Sequence, residues 1–97
     1  MKPLTSDLRR EDLVPYFLWD EDLTVAEVRR RLRGGPEEER VRLAGKILRE
    51  AAYPEVWEFL RVADVARDLP ELRRHLGRRR AFWEFLIGEW RALGLLP

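Results

Sequence analysis

Asp20 and Asp22, in the stretch PYFLWDED over 15–22, are the pair best spaced for metal chemistry. Paired carboxylates hold Mg²⁺ in phosphoryl and nucleotidyl transfer, where the metal takes hard oxygen ligands. That chemistry also needs a rigid strand or loop and a phosphate cradle, and no glycine-rich loop precedes this pair. The same acids suit a plainer role, because they precede a helix beginning near Thr24 and negative charge is favoured there. Hydrolytic nucleophiles are scarce: there is no cysteine, the one serine is Ser6, and the one histidine is His75. A catalytic dyad needs a base beside a nucleophile. His75 has no such partner in view and reads as a residue of a helix's last turn, where positive charge suits the dipole. The side chains therefore point to no enzyme, no cofactor and no metal site.

Arginine offers the remaining chemistry, with seventeen of the nineteen basic residues. Arg29, Arg30, Arg31 and Arg33 end one predicted helix, and Arg73 and Arg74 fall in a last turn before Gly77. Cations are favourable at both places. Arg78, Arg79 and Arg80 instead open a helix, where cations oppose the dipole. We expect these three to form, with the free N–H groups of that helix, an anion-recognising corner flanked by Arg73, Arg74 and His75. A solvated face is the competing explanation. Trp57, Phe82, Trp83, Phe85 and Trp90 could stack single-stranded bases, but their helical spacing reads first as core, with one or two tryptophans left as interface anchors.

The elements that must position these groups are helical almost throughout. Ninety-seven residues with 45% apolar content form one domain. The 38% charged residues and net charge of +1 describe a mixed-sign surface rather than a polyanion-coating one. No stretch approaches the roughly 20 apolar residues of a membrane span, and the N-terminal residues lack the apolar run of a secretion signal, so a cytoplasmic protein is expected. Depletion of Asn and Gln alongside many charges is a thermophile-like habit.

Residues 1–14 read as an arm or short helix, capped by Ser6 or Asp7 and ended before Pro15. Residues 15–93 read as the core. Thr24 and Glu27 form a capping box for a helix over 24–33, with Val25, Val28 and Leu32 on its buried face. The Gly-Gly-Pro turn at 34–36 leads into a second helix over 36–52 carrying Val41, Ala44, Leu48 and Ala51. This pair resembles one HEAT-like hairpin. Pro54 opens another helix, and Asp68 to Glu71 with Pro70 reads as a second cap. A last helix over 78–93 has apolar residues on so many sides that it should be the central one. No segment alternates with period 2. The fold is expected to be an all-α compact bundle of five to seven short helices.

Three segments carry a family resemblance: FLWD over 17–20, YPEVWEFL over 53–60 and RRRAFWEFLIGEW over 78–90. Together they make the chain, over about 15–93, similar to small all-helical prokaryotic proteins often encoded beside Abi-type nucleotidyltransferase toxins. The resemblance implies an antitoxin-like or accessory component, with Phe17, Leu18, Trp19 and Asp20 as a family feature where the chain first joins the fold. We expect Phe17 to Trp19 to clamp the N-terminal segment onto the helices and Asp20 to turn the chain. The expectation is a non-enzymatic protein-interaction module whose partner is a nucleotidyltransferase-type toxin. The alternative is nucleic-acid binding through the basic residues of 73–80. The face of Ala81, Phe85, Gly88 and Ala92 is expected to pack on the 36–52 helix, at its small residues Ala44, Gly45 and Ala52; left open by the monomer, it becomes a homodimer seam.

Overall fold

Thr24 starts the first helix as its sequence predicts, its hydroxyl accepting from the Glu27 N–H at 3.2 Å. The computed structural model describes residues 2–96. Helix α1, Val25–Gly34, is followed by α2, Glu37–Glu50, α3, Tyr53–Phe59, α4, Val62–Leu72, and α5, Arg80–Ala92. The fold is a compact helical bundle, supplemented by short 3₁₀ turns at Tyr16–Leu18, Arg73–His75 and Gly77–Arg79.

The N-terminal arm is not a helix, contrary to the reading of 6–14 as one. Leu4–Thr5 (β1) pairs in parallel with Val14–Pro15 (β2), in the register Leu4 to Val14 and Thr5 to Pro15. A two-residue ladder is too short to leave an alternating pattern, so periodicity could not reveal it. The arm's carbonyls have another use. Leu13 and Glu11 accept from the N–H groups of Val25 and Ala26, at 2.9 and 3.2 Å. These are among the N–H groups that α1 cannot satisfy internally, so the arm caps the helix that follows it.

The α1–α2 hairpin turns where Gly34, Gly35 and Pro36 predict it, with the Gly35 N–H bonded to the Arg31 carbonyl at 3.0 Å. Glu37, Glu38 and Glu39 occupy the first turn of α2, at the positive end of its dipole. Val41 and every residue from Leu43 to Leu48 are buried. That is burial around the whole circumference, so α2 is the central helix.

The last helix is not. In α5 only Trp83 and Ile87 are buried, while Phe82 and Phe85 lie open. Trp83, Ile87 and half-buried Trp90 form one stripe at i, i+4 and i+7, and this stripe, with half-buried Leu86 beside it, faces the bundle. Phe85 sits about 160° around the helix from Trp83, so apolar character on several faces did not mean burial on several faces.

Pro70 lies inside the last turn of α4 rather than opening a new helix, so the expected cap at Asp68 does not form. Asp68 instead pairs with Arg40 at 2.6 Å and Arg67 at 3.0 Å. Gly77 takes the left-handed φ of 53° that a residue with a Cβ rarely adopts, and opens the second of two consecutive 3₁₀ turns. Gly94, at φ 74°, ends α5 in a Schellman motif: the Leu95 N–H reaches the Trp90 carbonyl and the Gly94 N–H that of Arg91.

Candidate functional site

The opening PYFLWD stretch divides between core and surface. Phe17 and Leu18 are buried, and Phe17 meets Phe59 edge-on at 5.6 Å. Trp19 is 64% exposed, which corrects its expected place in the clamp. The residues 16–18 make a single tight 3₁₀ turn, and a turn that directs residues 17 and 18 inward leaves residue 19 facing out. Tyr16 links this turn to α3: its hydroxyl donates to the Glu55 carboxylate and accepts from the Ala52 N–H at 3.0 Å.

The acids after Trp19 are held by cations. Lys46, on α2 and almost wholly buried, contacts Asp20 and lies 3.0 Å from Glu21. Arg42 bonds Glu21 and Glu39, both at 2.8 Å. Burial works against the Lys46 ammonium, but the hydrogen bonds it donates to Asp20 and Glu21 outweigh it and hold its pKa above the usual value. Asp22 accepts at 3.5 Å from the backbone N–H of Lys2. Among the described residues, no three His, Cys, Asp or Glu side chains come together in a metal-holding group.

The basic residues of 73–80 follow one another on two tight turns but serve separate tasks. Arg79 turns inward and donates to the carbonyls of Ala51 at 2.5 Å and Leu48 at 3.4 Å, closing the C-terminal end of α2. Arg73 and Arg80 meet on Glu84, at 3.1 and 2.8 Å. Arg74 donates to His75 Nε2 at 3.3 Å. Burial, then the charge of Arg74 and Arg49, lowers the His75 pKa. Arg78 is exposed and forms no ion pair among the described residues. The three-arginine corner expected at 78–80 is therefore not assembled. Two things prevent it: the helix begins at Arg80 rather than Arg78, and the carbonyls ending α2 claim Arg79.

The structure instead presents an aromatic face on α5 and the start of α3. Phe85 is 65% exposed, Phe82 46% and Tyr53 42%. Tyr53 and Phe82 meet at a ring distance of 5.9 Å and an interplanar angle of 88°. Beneath them lies Trp83, 5.0 Å from Phe82 and 6.0 Å from Tyr53, its indole N–H donating to the Leu48 carbonyl at 2.9 Å. Trp57 closes on Trp83 edge-on at 5.7 Å. Tyr53 and Phe82 thus stand on a fixed ring and lose little freedom when covered, while Phe85 lies one turn further along α5. Along the same side of α5, Ala81, Gly88 and Ala92 are exposed rather than packed on α2, and a Cβ on Gly88 would meet nothing within 4 Å, while Gly45 of α2 faces His75 instead. What this arrangement can do is bury apolar surface against another molecule.

Tyr53 is the member of this face that sequence reasoning assigned no role. Its signal was present in the helical wheel of α5: once Trp83, Ile87 and Trp90 define the buried stripe, Phe82 and Phe85 fall off it and need company on the surface. The chain matches no known family model, no curated protein and no solved structure.

Proposed function

We propose that this protein is a non-enzymatic interaction module that docks a protein partner on the α5 face. The observation that carries the reading is the exposed aromatic surface of Phe82 and Tyr53 on the immobilised Trp83, extended along α5 by the exposed Phe85. Large aromatic rings in rigid surroundings are the side chains that dominate protein interfaces. The α1–α2 pair, as a HEAT-like hairpin, supports the same reading, because such hairpins build helical binding scaffolds. The partner in this reading is a nucleotidyltransferase-type toxin, with the present chain as its antitoxin-like or accessory component. Support for that identity is the resemblance carried by FLWD, YPEVWEFL and RRRAFWEFLIGEW.

The test is co-expression with a nucleotidyltransferase-type toxin from the same genome, followed by size-exclusion chromatography. Phe85→Glu should abolish a co-eluting complex while leaving the isolated protein's melting temperature nearly unchanged. Trp19→Glu should leave the complex intact. A complex that survives Phe85→Glu and is lost with Trp19→Glu moves the docking site to the PYFLWD turn.

A second reading, nucleic-acid binding, is favoured by one observation: Arg74 and Arg78 are exposed without carboxylate partners among the described residues. Binding through phosphates would weaken steeply with salt, whereas an aromatic interface would not. A salt titration of any oligonucleotide binding, repeated with Arg74 and Arg78 changed to Gln, separates the two.

A further inference from the structure

A second surface, to which α5 contributes no residue, carries unspent positive charge. A cleft of about 580 Å³ opens between α1, α2 and the junction of α3 with α4. Five arginines line it against two aspartates. Three of the five are committed. Arg40 and Arg67 pair with Asp68 at 2.6 and 3.0 Å, and Arg67 also with Asp64 at 3.1 Å. Arg29 donates to the Glu58 carbonyl at 2.8 Å and lies 4.7 Å over the Phe59 ring.

Arg33 and Arg61 are different: both are exposed, and neither forms an ion pair or a side-chain hydrogen bond among the described residues. Arg33 ends α1, where a cation is favourable. Arg61 sits at the N-cap of α4 with no capping hydrogen bond, where a cation opposes the dipole. An anion placed in the cleft would turn that unfavourable position into a favourable one. The floor is apolar, formed by Leu32, Leu60 and Val65 beside Phe59. The volume lies within the roughly 300–1,000 Å³ of small-molecule sites, which combine such a floor with a few placed polar groups.

We infer that this cleft binds a small organic oxyanion, a phosphate or carboxylate on a flat apolar body, with Arg33 and Arg61 gripping the anion and the Phe59–Leu60 floor taking the body. Guanidinium groups suit both oxyanions, because their fork of donors matches two oxygens at once. The site is independent of the α5 docking face and stands or falls without it.

The experiment is an amide chemical-shift titration of the intact chain with naphthyl phosphate, naphthoate, naphthol and inorganic phosphate. Saturable shifts on α1, the α3–α4 junction and α4 are expected with at least one of the two ring-bearing anions. The tighter of these names the oxyanion. Naphthol and inorganic phosphate should each bind at least about tenfold more weakly. Changing Arg33 and Arg61 together to Gln should weaken the anion about a hundredfold, roughly tenfold for each charged hydrogen-bond donor. Their exposure predicts an unchanged melting temperature, and Arg78→Gln should bind as wild type. The inference is overturned by equal affinity for inorganic phosphate, by a double variant that binds as wild type, or by shifts that map to 73–80. The absence of saturable binding by both ring-bearing anions overturns it as well. A short acidic peptide that fills the cleft more tightly than either aromatic anion would also reject the small-molecule assignment.

Discussion

The Arg91 guanidinium donates at 2.8 Å to the carbonyl of Ala66, the acceptor that Pro70 leaves without its helical partner. A residue four positions after Ala66 would normally supply an N–H, and proline has none. Ala66 is buried, so water is a poor substitute. Arg91→Ala should therefore lower unfolding free energy by about 1–3 kcal/mol, the range for losing a charged donor to a buried acceptor. In a Pro70→Ala background the restored N–H should shrink that loss. Urea denaturation of the four proteins in the cycle measures the coupling, and strictly additive losses would show that Arg91 does not replace the missing bond.

Phe17 and Trp19 should behave oppositely although they are two residues apart. Phe17→Ala removes a buried ring and should destabilise by about 3–5 kcal/mol. Trp19→Ala removes an exposed one and should change stability by less than about 1 kcal/mol. Thermal unfolding of the two variants decides, and similar losses would place Trp19 back in the clamp.

Two glycines make a matched pair. A Cβ on Gly45 would collide with the Cβ of His75, whereas one on Gly88 would meet open space. Gly45→Ala should push the Arg73–His75 turn off α2 and destabilise the fold. Gly88→Ala should stabilise it by about 0.5–1 kcal/mol, through helix propensity alone. Sedimentation of wild type and Gly88→Leu tests self-association on the same face: a dimer that becomes a folded monomer would make this face a self-association seam. A monomer in both cases leaves it to another partner.

Acid should weaken the fold in two stages. Burial, then Arg74, holds His75 below its ordinary 6.5, so its contribution is complete above pH 6.5 and is lost as pH falls through the folded value. The Arg42 hydrogen bond, against burial and with help from Lys46, holds Glu21 below its ordinary 4.5. Its contribution is complete above pH 4.5 and disappears below that. Lys46 has the opposite sign, since its raised pKa gives stability present below 10.5 and lost as pH rises through the folded value. Urea midpoints followed from acid to alkali should show all three limbs. His75→Gln should flatten the first and Glu21→Gln the second; an acid limb unchanged in Glu21→Gln would count against its role.

Helix positions were legible because their signals are local. Thr24 caps and Pro36 starts where the sequence places them, each through a property of one residue, a hydroxyl in the first case and a fixed φ in the second. What the sequence could not show was which apolar face each helix turns inward. Phe85 and Trp83 are chemically alike, and only the packing of α5 on one side separates them. The arginine corner was misread for a related reason. Arg78, Arg79 and Arg80 look equivalent in a string, but the helix-end carbonyls of Leu48 and Ala51 lie some thirty residues earlier in the chain and claim only one of them. The cleft between α1 and α4 joins residues that no local pattern connects.

The unequal burial of the four tryptophans makes the molecule its own optical reporter. Trp83 is fully enclosed and bonded to the Leu48 carbonyl, Trp57 and Trp90 are half-covered, and Trp19 stands in solvent. Emission from the native protein is therefore a mixture. A red shift on denaturation will report chiefly the undocking of α5 from the end of α2, while the component most open to iodide or acrylamide quenching belongs to the turn before Asp20. The fraction already quenched in the native state is thereby assigned to Trp19, and a rise in the quenchable fraction reports loosening of the last helix without attaching any label.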